Sequence, residues 1–456
     1  MIRIFNIYYP TRMLILVVGE ALVICLSFIA AAVLRLGYDS VIVLQYEYGF
    51  FKILAVTGLA LIGMMYFDLY DALRVPPQSE IYFRLLVVLG LLSFALAALS
   101  YFFPAFQLGN GSLPAGLLIL AFALAGWRSC YAWLVRRPWM RERICIMGTG
   151  ERASRLVGAV RTCVDLGMDV VEWLNDSEIN SLCNHGERLL ERVRSHRVDR
   201  LIVALEDRRG KMPVGALLNL RFNGVKVEDA TEILEKTLGK IEVEGLYPSW
   251  LIFSKGFPLH SGSRFSRRVV SIIASLVCLL VFLPLLPVIA LAVKLSSSGP
   301  IFYQQKRVGR GGHVFTCYKF RTMKTGAEAV SGPIWATEDD KRVTTFGRWL
   351  RLTRLDEIAQ LWNVFVGDMA FVGPRPERPE FVELLRHEIP YYDLRHVVRP
   401  GITGWAQVCY EYGASVEQAR EKLKYDLYYI KNMSVSLDLA IIAKSVKIVL
   451  LGRGAR

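Results

Sequence analysis

Four apolar runs near the start of the chain, residues 13–34, 49–67, 85–103 and 115–135, constrain the fold more than any other feature. Each holds about the twenty residues needed to carry a helix across a bilayer. No small-residue cleavage site follows the first run, so it is expected to stay as a membrane helix rather than to leave as a signal peptide. Arg136, Arg137, Arg141 and Arg143 crowd the exit of the fourth run, whereas the loop at 104–114 carries no charge. The excess of basic residues on cytoplasmic loops then puts the N-terminus and residue 144 in the cytoplasm, with the bundle in the inner membrane. In that topology Glu20 and Arg128 lie at one depth. Either they pair, or Arg128 snorkels to the headgroups.

Composition narrows the partners. The 456 residues are 53% hydrophobic and carry 55 Lys+Arg against 41 Asp+Glu, a net charge of +14. Basic stripes interleaved with aromatics are absent, which excludes a nucleic-acid binder and leaves anionic lipid and phosphorylated substrates. The eight cysteines show neither C-x-x-C nor paired metal-ligand spacing, so reduced, packing cysteines are expected.

A soluble domain begins at 143. RICIMGTG reads as a buried strand running into a glycine turn, with Gly148, Gly150 and Ala153 forming a G-x-G-x-x-A pattern. Further strands are expected at 170–174, 200–205 and 224–228, giving a parallel α/β domain that ends near residue 260. The glycine pattern serves either a nucleotide or close helix packing. A sugar-modifying enzyme of this fold would carry Tyr-x-x-x-Lys, but Leu251 stands in the Lys position after Tyr247, which argues against independent catalysis here.

After the basic linker SGSRFSRR comes a fifth apolar run, residues 269–293, interrupted by Pro284 and Pro287. Proline removes a backbone donor and bends or breaks a helix. A kinked spanning helix is one reading. A full crossing, however, would carry the following phosphate-handling residues out of the cytoplasm, so a re-entrant helix broken at these prolines is favoured. Gln305, Arg307, Gly309, Arg310, Gly311 and Gly312 then form a basic glycine loop, followed by Lys319 and Arg321. Glycines let N–H groups approach phosphate, and arginine offers it a planar fork.

Leu352, Leu355, Ala359, Trp362 and Phe365 recur at helical spacing and predict an amphipathic helix with that side turned inward. Asp356 and Glu357 ride on it. Adjacent helical residues diverge by about 100°, so a division of labour is more natural than a shared proton. An ionised Asp can attack phosphorus while a neighbouring carboxylate helps to hold a divalent metal; a solvated Asp-Glu pair is the other reading. Arg348 and Arg351 precede the pair. Arg375 stands between Pro374 and Pro376, and Arg399 precedes Pro400, so each has its backbone restricted as a phosphate-binding residue requires.

Three blocks in order, GPIFYQQKRVGRGGHVFTCYKFRTM (299–323), RLDEIAQLWNVFVGDMAFVGPRP (354–376) and RPGITGWAQV (399–408), closely resemble the bacterial sugar transferase family, the monotopic phosphoglycosyl transferases. The resemblance implies transfer of a sugar 1-phosphate from a nucleotide diphosphate sugar, expected to be a UDP-sugar, to undecaprenyl phosphate, opening exopolysaccharide or other surface-glycan synthesis. It implies Asp356 as the nucleophile, Glu357 as its catalytic partner and Mg²⁺ as the metal, with Asp356 and Glu357 both candidate ligands. Lys319, Arg321, Arg351, Arg375, Arg399 and Arg307 are the candidates for holding substrate phosphates. It also implies a helix broken at a Ser-Pro; Leu286 replaces that serine before Pro287, and Pro284 is placed to compensate. The expected architecture is a four-helix transmembrane bundle (1–142), a Rossmann-like accessory domain (143–260) and a membrane-embedded α/β catalytic domain with a re-entrant helix (261–456). A homo-oligomer is compatible with it. The competing functions are a nucleotide-sensing membrane scaffold with a degenerate transferase half, and a lipid transporter, whose spans would hold more interior charge than these do.

Overall fold

The computed structural model describes residues 2–4, 7–70, 77–104, 112–162, 167–183, 186–205, 212–244, 248–254, 256–257, 261–324, 342–410 and 415–450. Most of the uncharged loop and Tyr247 lie outside them. The chain forms two compact bodies divided at Leu238–Gly239. The sequence had placed this boundary near residue 260. Residues 239–244 instead belong to the second body, where Ile241 and Val243 enter the core and the Ile241 N–H donates to the Lys424 carbonyl at 3.0 Å.

In the first body the apolar runs form helices Thr11–Leu36, Gly49–Tyr66, Gln78–Phe102 and Ser112–Val135. Ile24, Phe28, Ile53, Met64, Leu92, Leu120 and Leu124 meet between them, while Leu22, Phe51, Phe94 and Phe122 face outward. Apolar residues on both inner and outer faces are the pattern of helices solvated by lipid. At Gly19 a Cβ would fall 2.0 Å from the Trp127 ring, so the first and fourth helices approach as closely as they do because residue 19 is glycine.

Glu20 and Arg128 do pair. Arg128 Nε donates to Glu20 Oε1 at 2.6 Å with both side chains buried, and the Tyr70 hydroxyl donates to the second carboxylate oxygen. Snorkelling is ruled out by this geometry.

The sheet of the first body is fully parallel, in spatial order Met168–Leu174, Glu142–Met147, Arg200–Val203, Lys226–Asp229. Helix Glu151–Thr162 follows the glycine turn with Ala153 buried beneath it. Gly148 has φ +120°, and a Cβ there would meet the Ala204–Leu205 backbone at 2.9 Å. This glycine is therefore required by strand packing, whatever the turn binds.

The second body opens with the fifth apolar run, which forms helix Ser261–Phe282, a 3₁₀ turn Leu283–Leu285 and helix Leu286–Ser296. The interruption falls at the two prolines. Counting this run, five helices among the described residues are long and apolar enough to cross a membrane. An antiparallel hairpin, Phe302–Val308 with Val314–Phe320, and a short parallel pair, Ala370–Val372 with Gly401–Thr403, carry the loops of interest. Helices Pro379–Glu388, Val416–Asn432 and Val435–Leu450 complete the body around Tyr392, Trp405, Leu427, Tyr428 and Tyr429. On the last helix Leu437 and Ile441 pack inward while Leu439, Val446 and Val449 stay exposed.

Candidate active site

The stretch carrying the two acids is not the single amphipathic helix that its spacing predicts. Helix Thr345–Leu352 stops, Arg354 takes a left-handed conformation (φ +58°), a 3₁₀ helix runs from Leu355 to Gln360, and helix Leu361–Val366 follows until Gly367 ends it. The inward face changes as a result. Leu352 and Trp362 are 47% and 62% exposed, whereas Asp356, Glu357, Gln360 and Asn363 are buried. Asn363 explains part of this. Its amide donates to the Thr316 carbonyl at 2.7 Å and accepts from the Tyr318 N–H at 3.2 Å, fastening the polar flank to the hairpin strand that carries Lys319.

Four cationic side chains bear on the two carboxylates. Lys319 Nζ and Arg375 Nη2 both donate to Glu357 Oε1, at 2.9 and 2.6 Å, and Arg354 lies 3.9 Å from Oε2. Burial alone would raise the Glu357 pKa, but Arg375, Lys319 and Arg354 outweigh it and hold the carboxyl well below its ordinary range. Asp356 behaves oppositely. Burial, helped by the Glu357 charge, pushes it up to about 6 against the opposing pull of Lys319, Arg351 and Arg375. Its carboxylate accepts no hydrogen bond from a described residue. One acid is thus locked in its ionised form by the protein, and the other is kept available.

The remaining candidates separate by position. Arg351 donates to the Thr322 hydroxyl at 3.0 Å, close enough for its charge to act on Asp356. Arg321 lies instead on the carbonyls of Ser297 (2.6 Å), Val293 (3.2 Å) and Pro300, where it caps the end of the proline-broken helix. Arg307 donates to the Pro376 carbonyl at 2.9 Å and to Gln305, so its guanidinium is committed to the Pro-Arg-Pro loop. Arg399 is half-buried, and burial with the Arg268 and Arg310 charges lowers its pKa, with no acid among the described residues to offset them. Arg354, Arg268 and Arg395 were not singled out from the sequence. Arg268 and Arg395 meet backbone carbonyls and a carboxylate distant in the chain, which no local spacing signals, whereas the i,i+3 step from Arg354 to Glu357 was a signal the sequence did carry.

Among the described residues no three His, Cys, Asp or Glu side chains converge as a metal site. Asp356 and Glu357 supply two carboxylates, the first of which accepts no hydrogen bond from a described residue. Two oxygen donors of this kind fit a hard cation such as Mg²⁺, which is commonly held by one or two carboxylates together with substrate phosphates.

In the first body, the glycine turn offers its Thr149 N–H to Asp176 Oδ1 at 3.3 Å, and the Trp173 indole donates to the Gly148 carbonyl at 2.7 Å. The turn is built, and its exposed donor already has an internal acceptor.

Comparison with known proteins finds a family match within the second body. The family described as bacterial sugar transferase matches residues 262–452. An undecaprenyl-phosphate glucose phosphotransferase of Komagataeibacter xylinus is 29% identical, covering 99% of this chain and 86% of that protein. A UDP-glucose:undecaprenyl-phosphate glucose-1-phosphate transferase of Escherichia coli K12 is 32% identical over 70% of this chain and 71% of its own length. A UDP-N-acetylgalactosamine-undecaprenyl-phosphate N-acetylgalactosaminephosphotransferase of Aeromonas hydrophila is 40% identical over 51% of this chain, which spans 54% of that relative. With the Asp356–Glu357 dyad, the Pro-Arg-Pro loop and the broken apolar helix all inside the matched segment, the chain belongs to the bacterial sugar transferase family.

Proposed function

We propose that the protein transfers a sugar 1-phosphate from a nucleotide diphosphate sugar, a UDP-sugar in our reading, to undecaprenyl phosphate by way of an aspartyl-phosphosugar intermediate. The observation that carries this is the inequality of the two acids. Glu357 is neutralised by Lys319 and Arg375, while Asp356, buried beside it, accepts no hydrogen bond from a described residue. An Asp with a pKa of about 6 is mostly ionised near neutral pH and, being desolvated, is a stronger nucleophile than a hydrated carboxylate.

In the first step an Asp356 carboxylate oxygen bonds to the sugar-bearing phosphorus. The bond from that phosphorus to the bridging oxygen breaks, and nucleoside monophosphate leaves. In the second step a phosphate oxygen of the lipid attacks the same phosphorus, the bond to Asp356 breaks, and polyprenyl diphosphate sugar departs with the carboxylate regenerated. Lys319 and Arg375, held together on Glu357 Oε1, are the cations that would meet the phosphate charge. Asp356 and Glu357 would hold Mg²⁺, which supplies charge neutralisation to the phosphate oxygens.

The seating of the site supports the same reading. Arg268, at the start of the fifth apolar run, donates to the Val364 and Phe365 carbonyls at 2.6 and 3.0 Å. Arg321 grips the other end of that run at Val293 and Ser297. A straight helix rising 1.5 Å per residue would set those ends tens of ångströms apart, on opposite sides of a bilayer. Fastening both to one small body favours a re-entrant hairpin, with four spanning helices before it and both soluble portions on the cytoplasmic side of the inner membrane. Trp349, Leu352, Trp362 and Val366, exposed around the acids, suit headgroup depth.

The test is steady-state kinetics of the full chain in lipid nanodiscs with UDP-sugars and undecaprenyl phosphate. Parallel double-reciprocal lines are expected, since donor product leaves before acceptor binds; intersecting lines would count against the intermediate.

A further inference from the structure

We infer that Arg395 is a positioning residue for catalysis, acting through Arg375 and sharing that task with Arg307. This rests on the reading that places Arg375 in the catalytic machinery. Arg375 sits in a loop whose neighbours, Pro374 and Pro376, have no N–H to donate, so the loop has few donors of its own with which to fix itself. It is fixed from outside. The Pro374 carbonyl accepts from the Gly401 N–H at 2.9 Å, and the Arg375 carbonyl from Arg395 Nη2 at 2.9 Å. The Pro376 carbonyl accepts from Arg307 Nη1 at 2.9 Å, and the Glu377 carbonyl from the Val308 N–H at 2.9 Å. Four consecutive carbonyls each meet a donor from outside the loop, drawn from three parts of the fold: Gly401, Arg395 and the strand end Arg307–Val308. Two of those donors are arginine side chains.

Arg395 is itself rigid. It is 7% exposed, its Nη2 lies 2.9 Å from Asp426 Oδ2 on helix Val416–Asn432, and its Nη1 donates to the buried Tyr392 hydroxyl at 2.6 Å. The chain of contacts therefore runs from Asp426 through Arg395 to the Arg375 backbone. From there the Arg375 side chain reaches Glu357 Oε1 at 2.6 Å. A guanidinium is the side chain that can serve carboxylate, hydroxyl and carbonyl at once, because its donors fan out in one plane. A lysine keeps the charge beside Asp426 but cannot hold the same fork.

The experiment is a double-mutant cycle on the full chain in nanodiscs, reading kcat and donor KM for wild type, R395K, R375A and R395K/R375A, with R307K as a second entry into the same loop. R395K is expected to lower kcat about 10–100-fold, as misplacing a catalytic group by an ångström does, with donor KM changed much less. In the R375A background the same change should cost less than about twofold, because the residue it positions is gone. R307K should follow the same pattern. Equal losses from R395K with and without Arg375, or wild-type kcat in R395K, would overturn the assignment, as would an R395K protein that no longer purifies folded, since Arg395 would then be a general structural residue. Undiminished activity of R375A alone is a different outcome: it would remove Arg375 from the mechanism and with it the reading on which this inference rests.

Discussion

Arg375 donates to Oε1 of Glu357 across 2.6 Å, on the same oxygen that receives Lys319. Two cations on one carboxylate oxygen leave that acid ionised and oriented, and their combined charge is what allows a second acid to sit buried beside it. Replacing Glu357 by Gln removes a negative neighbour of Asp356 while leaving Lys319 and Arg375 in place. The Asp356 pKa should then fall, and the acid limb of the kcat/KM profile should move to lower pH. Activity at neutral pH should drop about 100–1000-fold from the lost orientation of the cations. A pH–rate series on E357Q checks both effects.

The wild-type profile follows from the raised pKa of Asp356. A nucleophile must be unprotonated, so the donor half-reaction should gain rate as pH rises through about 6 and level off above it. Rapid-quench measurement of nucleoside monophosphate release between pH 5 and 8 reads this limb. A flat profile across that range would place the titrating group elsewhere.

The same shift has a cost in stability with a definite sign. A carboxyl whose folded-state pKa lies above its unfolded value binds more protons when folded, so its contribution to stability falls as pH rises from about 4 through 6. D356N lacks this penalty. It should melt higher than wild type at pH 8, by roughly 3 kcal/mol at most, and the difference should close below pH 4.

In the bundle, Glu20 and Arg128 test whether the paired charges hold the first and fourth helices in register. Leucine at either position alone strands the other charge and should cost about 3–5 kcal/mol. The double leucine variant should recover most of it, because removing a buried pair together is far milder than breaking it. Thermal unfolding in one detergent compares all four proteins.

The orientation is open to chemistry. Cysteines introduced at Glu151 and Glu380, both exposed and one in each body, should react with a membrane-impermeant maleimide in inverted vesicles and stay unlabelled in intact cells. Labelling of position 380 alone from outside would mean that the fifth apolar run crosses completely.

Much of this protein was legible in sequence because hydropathy and glycine spacing are local signals. The apolar runs became helices close to their expected bounds, the four strands of the parallel sheet fell near their expected places, and equal depth brought Glu20 to Arg128. The site itself was less legible. Helical spacing of Leu352, Trp362 and their neighbours suggested the inward face, yet Arg354 breaks the helix, Asn363 pins the polar flank to Thr316 and Tyr318, and Trp362 is left outside. Arginine type alone did not distinguish a side chain that faces substrate from one spent on carbonyls. Arg321 and Arg307 turned out to have carbonyl partners at Ser297 and Pro376, contacts that tertiary packing creates and no spacing rule records.

The claim on which the rest depends is that Asp356 carries the phosphosugar covalently. The direct measurement is incubation of the purified full chain with a UDP-sugar labelled in the sugar and no lipid acceptor, followed by denaturing electrophoresis and peptide mapping. The account predicts label on the peptide containing Asp356, chased off by undecaprenyl phosphate and absent in D356N. Transfer at wild-type rate by D356N, or label on another residue, would contradict it.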